Sequence, residues 1–90
     1  NVPENEYPEN WQEISRSVRG QRGWECEDCR LNLEEHRALL HVHHRNHAKF
    51  DCSLENLEVI CIDCHSKKLG HKNMHVQENQ MELIRTLRNE

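Results

Sequence analysis

Apolar residues recur at helical spacing near both ends of the chain. The first stripe predicts a short amphipathic helix over residues 11–19, which Gly20 ends, and the second predicts a final amphipathic helix over residues 76–87. The members are Trp11, Ile14 and Val18 in the first stripe, and Val76, Met81, Leu83, Ile84 and Leu87 in the second. Residues 1–10 contain two prolines among acidic residues and predict an irregular N-terminal arm.

Between these helices the pattern changes to loose alternation. Residues 38–44 predict a strand with one buried and one solvent-facing side. After a polar loop at residues 45–53, residues 54–60 contain the apolar run of a returning antiparallel strand. Residues 65–69 predict the first turns of a helix that ends near Gly70. The order of elements indicates a small α+β fold, in which an antiparallel hairpin and a helix are flanked by N- and C-terminal helices.

Length and composition limit the size of the core. Ninety residues, of which 34% are hydrophobic, form one domain at most, and we expect that domain at residues 11–90 with its central motif at about residues 24–72. Burial alone leaves so small a fold marginal. Five cysteines and eight histidines are the candidates for additional stabilisation, as disulfides or as metal ligands.

Four of the cysteines form two CxxC knuckles, Cys26/Cys29 and Cys61/Cys64. Two residues between ligands allow a knuckle to hold tetrahedral Zn²⁺ from one side, so we favour a structural four-cysteine zinc site. The alternatives are two disulfides, or a redox or mixed Cys/His site. The 31 residues between the knuckles exceed the spacing of compact zinc ribbons, which makes the inserted hairpin a structural unit of its own. Cys52 is left over and is interpreted as a small apolar residue.

Charge is distributed unevenly along the chain. The net charge is −4, yet residues 36–50 and 64–75 together contain six basic residues, no acidic residue and all eight histidines. A local basic face can bind phosphate on an acidic protein, because salt confines electrostatic fields to about 8–10 Å. The alternative is a solvated charged surface.

Targeting signals are not visible in the sequence. The longest apolar run is far shorter than the roughly 20 residues of a membrane span, and the acidic start does not resemble a signal peptide. We therefore expect no membrane partner and a cytoplasmic, intracellular location of bacterial or phage type, where CxxC pairs bind metal more often than they oxidise. Because the chain begins with Asn1 instead of Met, we also expect a segment of a longer protein.

Histidine and asparagine occur in a distinctive order around the predicted hairpin. The pair His43-His44 ends the first strand, Asn56 precedes the second strand, and His65 follows the second knuckle, within the frames LHVHH, ENL and CIDCHSKK. In this order, and with both knuckles, residues 11–72 resemble the HNH nuclease family. The resemblance implies a ββα-metal fold, with the histidine pair on the first strand, the asparagine between the strands and the last histidine on the helix.

The resemblance also implies a role for each of these residues. His43 and His65 would bind a catalytic divalent ion such as Mg²⁺, Mn²⁺ or Ni²⁺, His44 would be the general base, and Asn56 would hydrogen-bond across the loop to fix that base. Adjacent strand residues point to opposite faces, so His43 and His44 share one site only if a bulge or the end of the strand turns one of them. The residues that flank the motif and could contact DNA phosphates are Arg45, Lys67, Lys68 and Lys72.

The leading hypothesis is a metal-dependent DNA endonuclease that leaves 5′-phosphate and 3′-hydroxyl ends, as the resemblance implies. With one site per chain we expect a monomer that nicks DNA. A dimer would form through the helix at residues 76–87, but we assign the apolar stripe of that helix to the chain's own core. The competing hypotheses are a non-catalytic zinc module that binds nucleic acid or protein, and a zinc adaptor that docks through the last helix. His47 stays ambiguous, and the remaining histidines are interpreted as surface or core residues: His36, His41, His71 and His75.

Overall fold

An antiparallel two-stranded hairpin lies at the centre of the structure, a computed structural model that describes residues 6–68 and 75–90. The elements are α1 (Trp11–Gln21), β1 (Leu40–His44), β2 (Leu57–Cys61), α2 (Ile62–Ser66) and α3 (Glu78–Arg88). One turn of 3-10 helix precedes each strand, at Arg37–Leu39 and Leu54–Asn56. The α+β class, the hairpin and its flanking helices are therefore as the sequence predicted.

The register of the hairpin runs from Leu40 opposite Cys61 to His44 opposite Leu57. Every residue of β2 is buried, including Glu58, whose carboxylate lies near the side chains of Arg45 and Lys68. The first strand starts later than the alternation predicted, at Leu40 instead of residue 38, because the preceding residues form the 3-10 turn. The returning strand is confirmed.

The helix boundaries differ from the predictions for local reasons. The second helix starts at Ile62, inside the second knuckle, because the Cys61 sulfur accepts the Cys64 amide and caps it. The sequence placed that helix at residues 65–69, and its predicted end near Gly70 lies outside the described residues. The last helix runs from Glu78 to Arg88, and the Gln77 and Gln80 side chains form a capping box at its start.

The core gathers side chains from all these elements around β2. Its buried apolar members are Val18, Leu33, Leu39, Leu40, Leu57, Val59, Ile60, Ile62 and Ile84, with Cys26 and Cys61. Ile84, a member of the apolar stripe of α3, is fully buried against the rest of this chain. The stripe therefore packs on the chain's own core. None of the helices in the described part of the chain has the length and apolar character to cross a membrane.

Glu27 in the first knuckle ties that knuckle to the second strand. Its amide donates to the Val59 carbonyl at 2.8 Å, and its carboxylate accepts the Val59 amide at 2.6 Å. Arg22, just after α1, donates to the Glu27 carboxylate at 2.7 Å and to the carbonyls of Leu54 and Leu57. These bonds hold the first knuckle beside the strand that ends in Cys61, the first cysteine of the second knuckle.

Replacing Ile84 with alanine tests the docking of α3. Removal of a fully buried side chain leaves a cavity, so we expect Ile84→Ala to lower the free energy of unfolding by about 2–5 kcal/mol. Leu54, which is 57% exposed, supplies the control, and Leu54→Ala should change stability by less than about 1 kcal/mol. Urea unfolding followed by circular dichroism measures both variants. Equal losses in the two variants would contradict the packing of α3 on the core.

Candidate metal centres and active site

The four knuckle cysteines converge on one point. The sulfur atoms of Cys26, Cys29, Cys61 and Cys64 all lie within 4.8 Å of one another, and all five cysteines of the chain are free thiols. Zinc bonds of about 2.3 Å in a tetrahedron place neighbouring sulfurs about 3.8 Å apart. The Cys29 and Cys61 sulfurs are 3.9 Å apart, so the cluster can hold a structural zinc ion.

Backbone amides support charge on these sulfurs. The amide of Cys29 donates to the Cys26 sulfur at 3.4 Å, and the amide of Cys64 donates to the Cys61 sulfur at 3.5 Å. The hydrogen bond with the Cys61 thiol, helped by backbone amides, lowers the pKa of Cys26 to about 4. The pKa of Cys61 is raised by its hydrogen bond with Cys26 and by burial, and burial raises that of Cys64 to about 12. Four thiolates this close together would repel one another, so Cys61 and Cys64 keep their protons until a divalent cation offsets that repulsion.

Arg88, in the last turn of α3, completes the surroundings of the cluster. Its Nη2 lies 3.5 Å from the Cys29 sulfur and 3.7 Å from the Cys61 sulfur, and its Nη1 donates to Asp63 at 2.9 Å. Hydrogen bonding to Cys29 is the main reason that the pKa of Arg88 is raised. No sequence pattern predicts this contact, since Arg88 lies 59 residues from Cys29 along the chain.

The histidine pair and His65 meet at a cavity of about 90 Å³. Its lining consists of Tyr7, Val42, His43, His44, His47, Lys49 and His65. His43 and His44 are both 6% exposed, and His44 is the last residue of β1. Both line this cavity although they are neighbours in the chain. The end of the strand is thus where two adjacent side chains reach one site.

Asn56 pins the loop that connects the strands. Its side-chain oxygen accepts the Asn46 amide at 3.0 Å, and its side-chain nitrogen donates to the Asp51 carbonyl at 2.7 Å. Its own carbonyl accepts the Arg45 amide at 2.8 Å. With three bonds across the loop and only 8% exposure, Asn56 holds the backbone that follows His44.

His44 is held by ring contacts and by the loop. Trp11 and Tyr7 stack on each other, and their ring centroids lie 4.9 and 5.7 Å from that of His44. The Nε2 atom lies 3.9 Å from the Cys52 sulfur. Burial lowers the pKa of His44, opposed by the charge of Asp51 and by a hydrogen bond with the Lys49 backbone, and aided by the charge of Lys49. On balance the pKa of His44 is lowered, so its imidazole is neutral at neutral pH and can accept a proton.

His41 makes a contact that sequence reasoning missed. Its Nδ1 lies 3.0 Å from Nδ1 of His65, and the two rings meet edge to face with centroids 5.2 Å apart. Burial, and secondarily the charge of Arg19, lowers the pKa of His41 and favours its neutral form. The signal in the sequence was that His41 and His43 are two positions apart on the predicted strand and therefore share one face of it.

His47 approaches the same group of rings. Its ring centroid lies 5.4 Å from that of His43, and its backbone is in the left-handed region at φ 61°. Its side chain lines the cavity, which the sequence left undecided.

The basic residues assigned to DNA contact have acidic neighbours in the structure. Arg45 lies 3.5 Å from Glu58 and 3.8 Å from Glu27. Lys67 pairs with Asp63 at 3.2 Å, and Lys68 pairs with Asp28 at 2.8 Å and Glu58 at 3.4 Å. Lys72 lies outside the described residues. Lys49, not among the assigned contacts, is the lysine that lines the cavity, with its Nζ 5.2 Å from the centre of the Tyr7 ring.

One curated relative is similar to nearly the whole chain. The Zorya protein ZorE of Escherichia coli is 43% identical over 84 residues. The match covers 93% of this chain and 23% of ZorE, so the chain spans less than a quarter of the length of that relative. No family model matches the sequence, and no solved structure matches it.

Zinc content tests the cysteine cluster. We expect one zinc per chain, and we expect strong chelation to unfold the protein, because zinc binding contributes on the order of 10 kcal/mol to folds of this kind. Cys29→Ser should make the zinc content substoichiometric, whereas the control Cys52→Ser should keep one equivalent. Elemental analysis and far-ultraviolet circular dichroism measure these outcomes. A zinc-free protein whose four knuckle cysteines are oxidised in pairs would establish the disulfide alternative instead.

Proposed function

We propose that this chain is a metal-dependent DNA endonuclease of the HNH type. The observation that carries the proposal is the cavity where His43, His44 and His65 meet, beside a loop pinned by Asn56. These are the residues whose order in the sequence resembles the HNH motif. A module that only binds DNA or protein needs the zinc cluster and a basic surface, but has no need for these side chains at one cavity.

The charge around the cavity suits a phosphodiester. Lys49 and the histidines line it, and no carboxylate is among the described residues of its lining. The volume of about 90 Å³ corresponds to about three water molecules, which is enough for a phosphate group or for an attacking water beside it. An anionic substrate can therefore approach without repulsion from the lining.

His44 is the proposed general base. In its neutral form it takes a proton from a water molecule, whose oxygen attacks phosphorus while the bond between phosphorus and the 3′ oxygen breaks. The leaving 3′ oxygen takes a proton from solvent water. The products carry a 5′-phosphate and a 3′-hydroxyl, as the family resemblance implies. The Trp11 and Tyr7 rings, together with the loop held by Asn56, keep the His44 ring in place during this transfer.

His43 and His65 are the proposed ligands of the catalytic divalent ion, and their neutral imidazoles fit such an ion. A bound ion would supply positive charge to the phosphate oxygens. Lys49 supplies a further positive charge from the protein itself. In this scheme the zinc of the cysteine cluster is structural. Cys64 precedes His65 in α2, so the cluster helps to fix the position of His65.

The similarity to the Zorya protein ZorE adds a context to the proposal. We infer that the chain acts in a Zorya system as the DNA-cutting segment, in the cytoplasm of a bacterial cell. The assignment of DNA cleavage itself rests on the cavity and its residues.

Substitution of His44 tests the proposal. With Mg²⁺, Mn²⁺ or Ni²⁺, we expect the wild-type protein to convert supercoiled plasmid to open circles, with linear DNA appearing late, because one site cuts one strand. His44→Ala should slow nicking by about 10²–10⁴-fold, the usual contribution of a general base. His75→Ala, an exposed histidine outside the cavity, is the matched control.

Zinc content and DNA binding, measured on the same samples, verify that His44→Ala is folded. Full nicking by a folded His44→Ala protein would contradict the role of His44. A wild-type protein that binds DNA without cutting it under any of the three metals would favour the non-catalytic zinc module. Linear product from the start, with a dimer in light scattering, would contradict the monomeric nickase.

The pH profile of nicking tests the electrostatics around His44. A general base works when neutral, so activity should rise with pH, and burial should place the midpoint below the ordinary histidine value of about 6.5. Lys49→Gln removes a charge that lowers this pKa and should move the midpoint up. Asp51→Asn removes a charge that raises it and should move the midpoint down. Shifts in the same direction for both variants would contradict His44 as the titrating base.

A further inference from the structure

Three arginines gather where α1 packs against the start of β1. Arg19, in α1, donates from Nη1 to the carbonyls of Arg37 and Leu40 at 2.9 and 3.1 Å. The guanidinium carbons of Arg19 and Arg37 lie 5.1 and 4.0 Å from the centre of the Trp24 ring. Arg16 lies three residues before Arg19 in α1, and residues at this spacing are neighbours on a helix surface. Arg16, Arg19 and Arg37 together are the arginine cluster.

The positive charges of the arginine cluster are not neutralised by the described part of the chain. No carboxylate there forms an ion pair with any of the three arginines. Burial, and then the charges of Arg16 and Arg37, lower the pKa of Arg19, so the guanidinium groups repel one another. An anion bound at this surface would relieve that repulsion.

The basic residues that the sequence assigned to DNA contact differ from the arginine cluster in this respect. Arg45, Lys67 and Lys68 each lie beside at least one carboxylate. A phosphate that approaches them meets the negative charge of that carboxylate as well. Arg16 and Arg37 are exposed and have no such neighbour among the described residues, so their surface is the more favourable one for a polyanion.

A groove between α1 and β1 joins the arginine cluster to the candidate active-site cavity. The groove has a volume of about 270 Å³, and Arg19 is part of its lining. It shares Tyr7, Val42 and His65 with the cavity, and its described lining contains no carboxylate. A DNA strand whose scissile phosphate enters the cavity can therefore continue along the groove without meeting negative charge from that lining.

We propose that the arginine cluster binds backbone phosphates beside the cut and that the DNA strand reaches the cavity along the groove between α1 and β1. The inference rests on the proposed function for DNA as the substrate, and it deepens that function by placing the DNA on α1 instead of beside the second knuckle. Arginine suits this role because its planar guanidinium can donate two parallel hydrogen bonds to a phosphate. Phosphate contacts of this kind fix the position of the duplex without reading its sequence.

The competing explanation is that these arginines only stabilise the fold, through the bonds of Arg19 to two carbonyls and the stacking on Trp24. Their loss would then lower stability and leave the salt dependence of DNA binding unchanged. A phosphate contact instead releases counterions, so its loss lowers the slope of log Kd against log salt concentration by about one. The salt slope therefore separates the two explanations.

The experiment uses the full chain with zinc in the cysteine cluster and without any other divalent metal. Fluorescence anisotropy measures the binding of a short labelled DNA duplex over a series of salt concentrations, and zinc content verifies that each variant is folded. The charge is removed in Arg16→Gln and Arg37→Gln and kept in Arg16→Lys and Arg37→Lys. Arg85→Gln is the matched control, because Arg85 is an exposed arginine of α3 that pairs with Glu78 at 2.9 Å. Lys67→Gln examines the surface that the sequence assigned.

We expect Arg16→Gln and Arg37→Gln each to lower the slope by about one and to weaken binding roughly 8-fold at about 0.1 M salt. The two lysine variants, Arg85→Gln and Lys67→Gln should keep the wild-type slope. An unchanged slope in a folded Arg16→Gln or Arg37→Gln protein overturns the inference, as does a wild-type protein that does not bind the duplex. If Arg37→Gln fails to retain zinc, the slope of Arg16→Gln decides alone.

Binding is measured without cleavage, so this result is separate from the test of nicking. A protein whose glutamine variants lose slope, but whose wild type leaves plasmid intact, would contradict the nuclease and keep the arginine cluster as a DNA-binding surface. A protein that nicks plasmid while Arg16→Gln and Arg37→Gln keep the full slope would contradict the proposed path of the DNA and leave the nuclease proposal intact.

Discussion

The four converging sulfurs of the knuckles are the constraint on which the other features of this structure depend. Cys29 and Cys61 are 32 residues apart in sequence, and the cluster closes the segment that contains the whole hairpin. Cys61 ends β2 and Cys64 lies in the first turns of α2, so a fixed cluster also fixes the angle at which the helix leaves the strand. His65 directly follows Cys64 and takes its position opposite β1 from that angle. A zinc ion bound by the four cysteines would thus help to hold His65 in place from outside the cavity.

The second constraint is the end of the first strand. Strict alternation would separate His43 from His44, and both line the cavity because β1 stops at His44 and the chain turns away. Asn56 satisfies three polar groups across the loop that follows, so the turn is fixed by hydrogen bonds instead of by apolar burial. This arrangement suits a chain with few hydrophobic residues, since a buried amide with satisfied partners holds a loop without enlarging the core.

Charge is divided between two regions of the molecule. Around the knuckles, basic side chains are paired with carboxylates, as in the pairs of Lys68 with Asp28 and Arg88 with Asp63. The cavity has histidines and Lys49, without a carboxylate among the described residues of its lining. An acidic chain can therefore present a local site for an anion, because the described lining of the cavity holds no carboxylate and salt screens the field of acids farther away. Asp51, whose charge reaches His44, is hydrogen-bonded to Ser53 and Asn46.

The sequence by itself determined the features that depend on spacing along the chain. The CxxC knuckles, the hairpin strands and the two amphipathic helices follow from residues within a few positions of one another, and local backbone geometry fixes what such spacings can form. The sequence pattern did not determine where the helices begin, because the caps of α2 and α3 depend on particular hydrogen bonds. Only the tertiary structure decided which distant side chains meet. The contact of His41 with His65, the approach of Arg88 to the cysteines and the pairing of Lys68 join residues 24, 59 and 40 positions apart, respectively. Such contacts depend on how strands and helices pack in three dimensions, which periodicity does not specify.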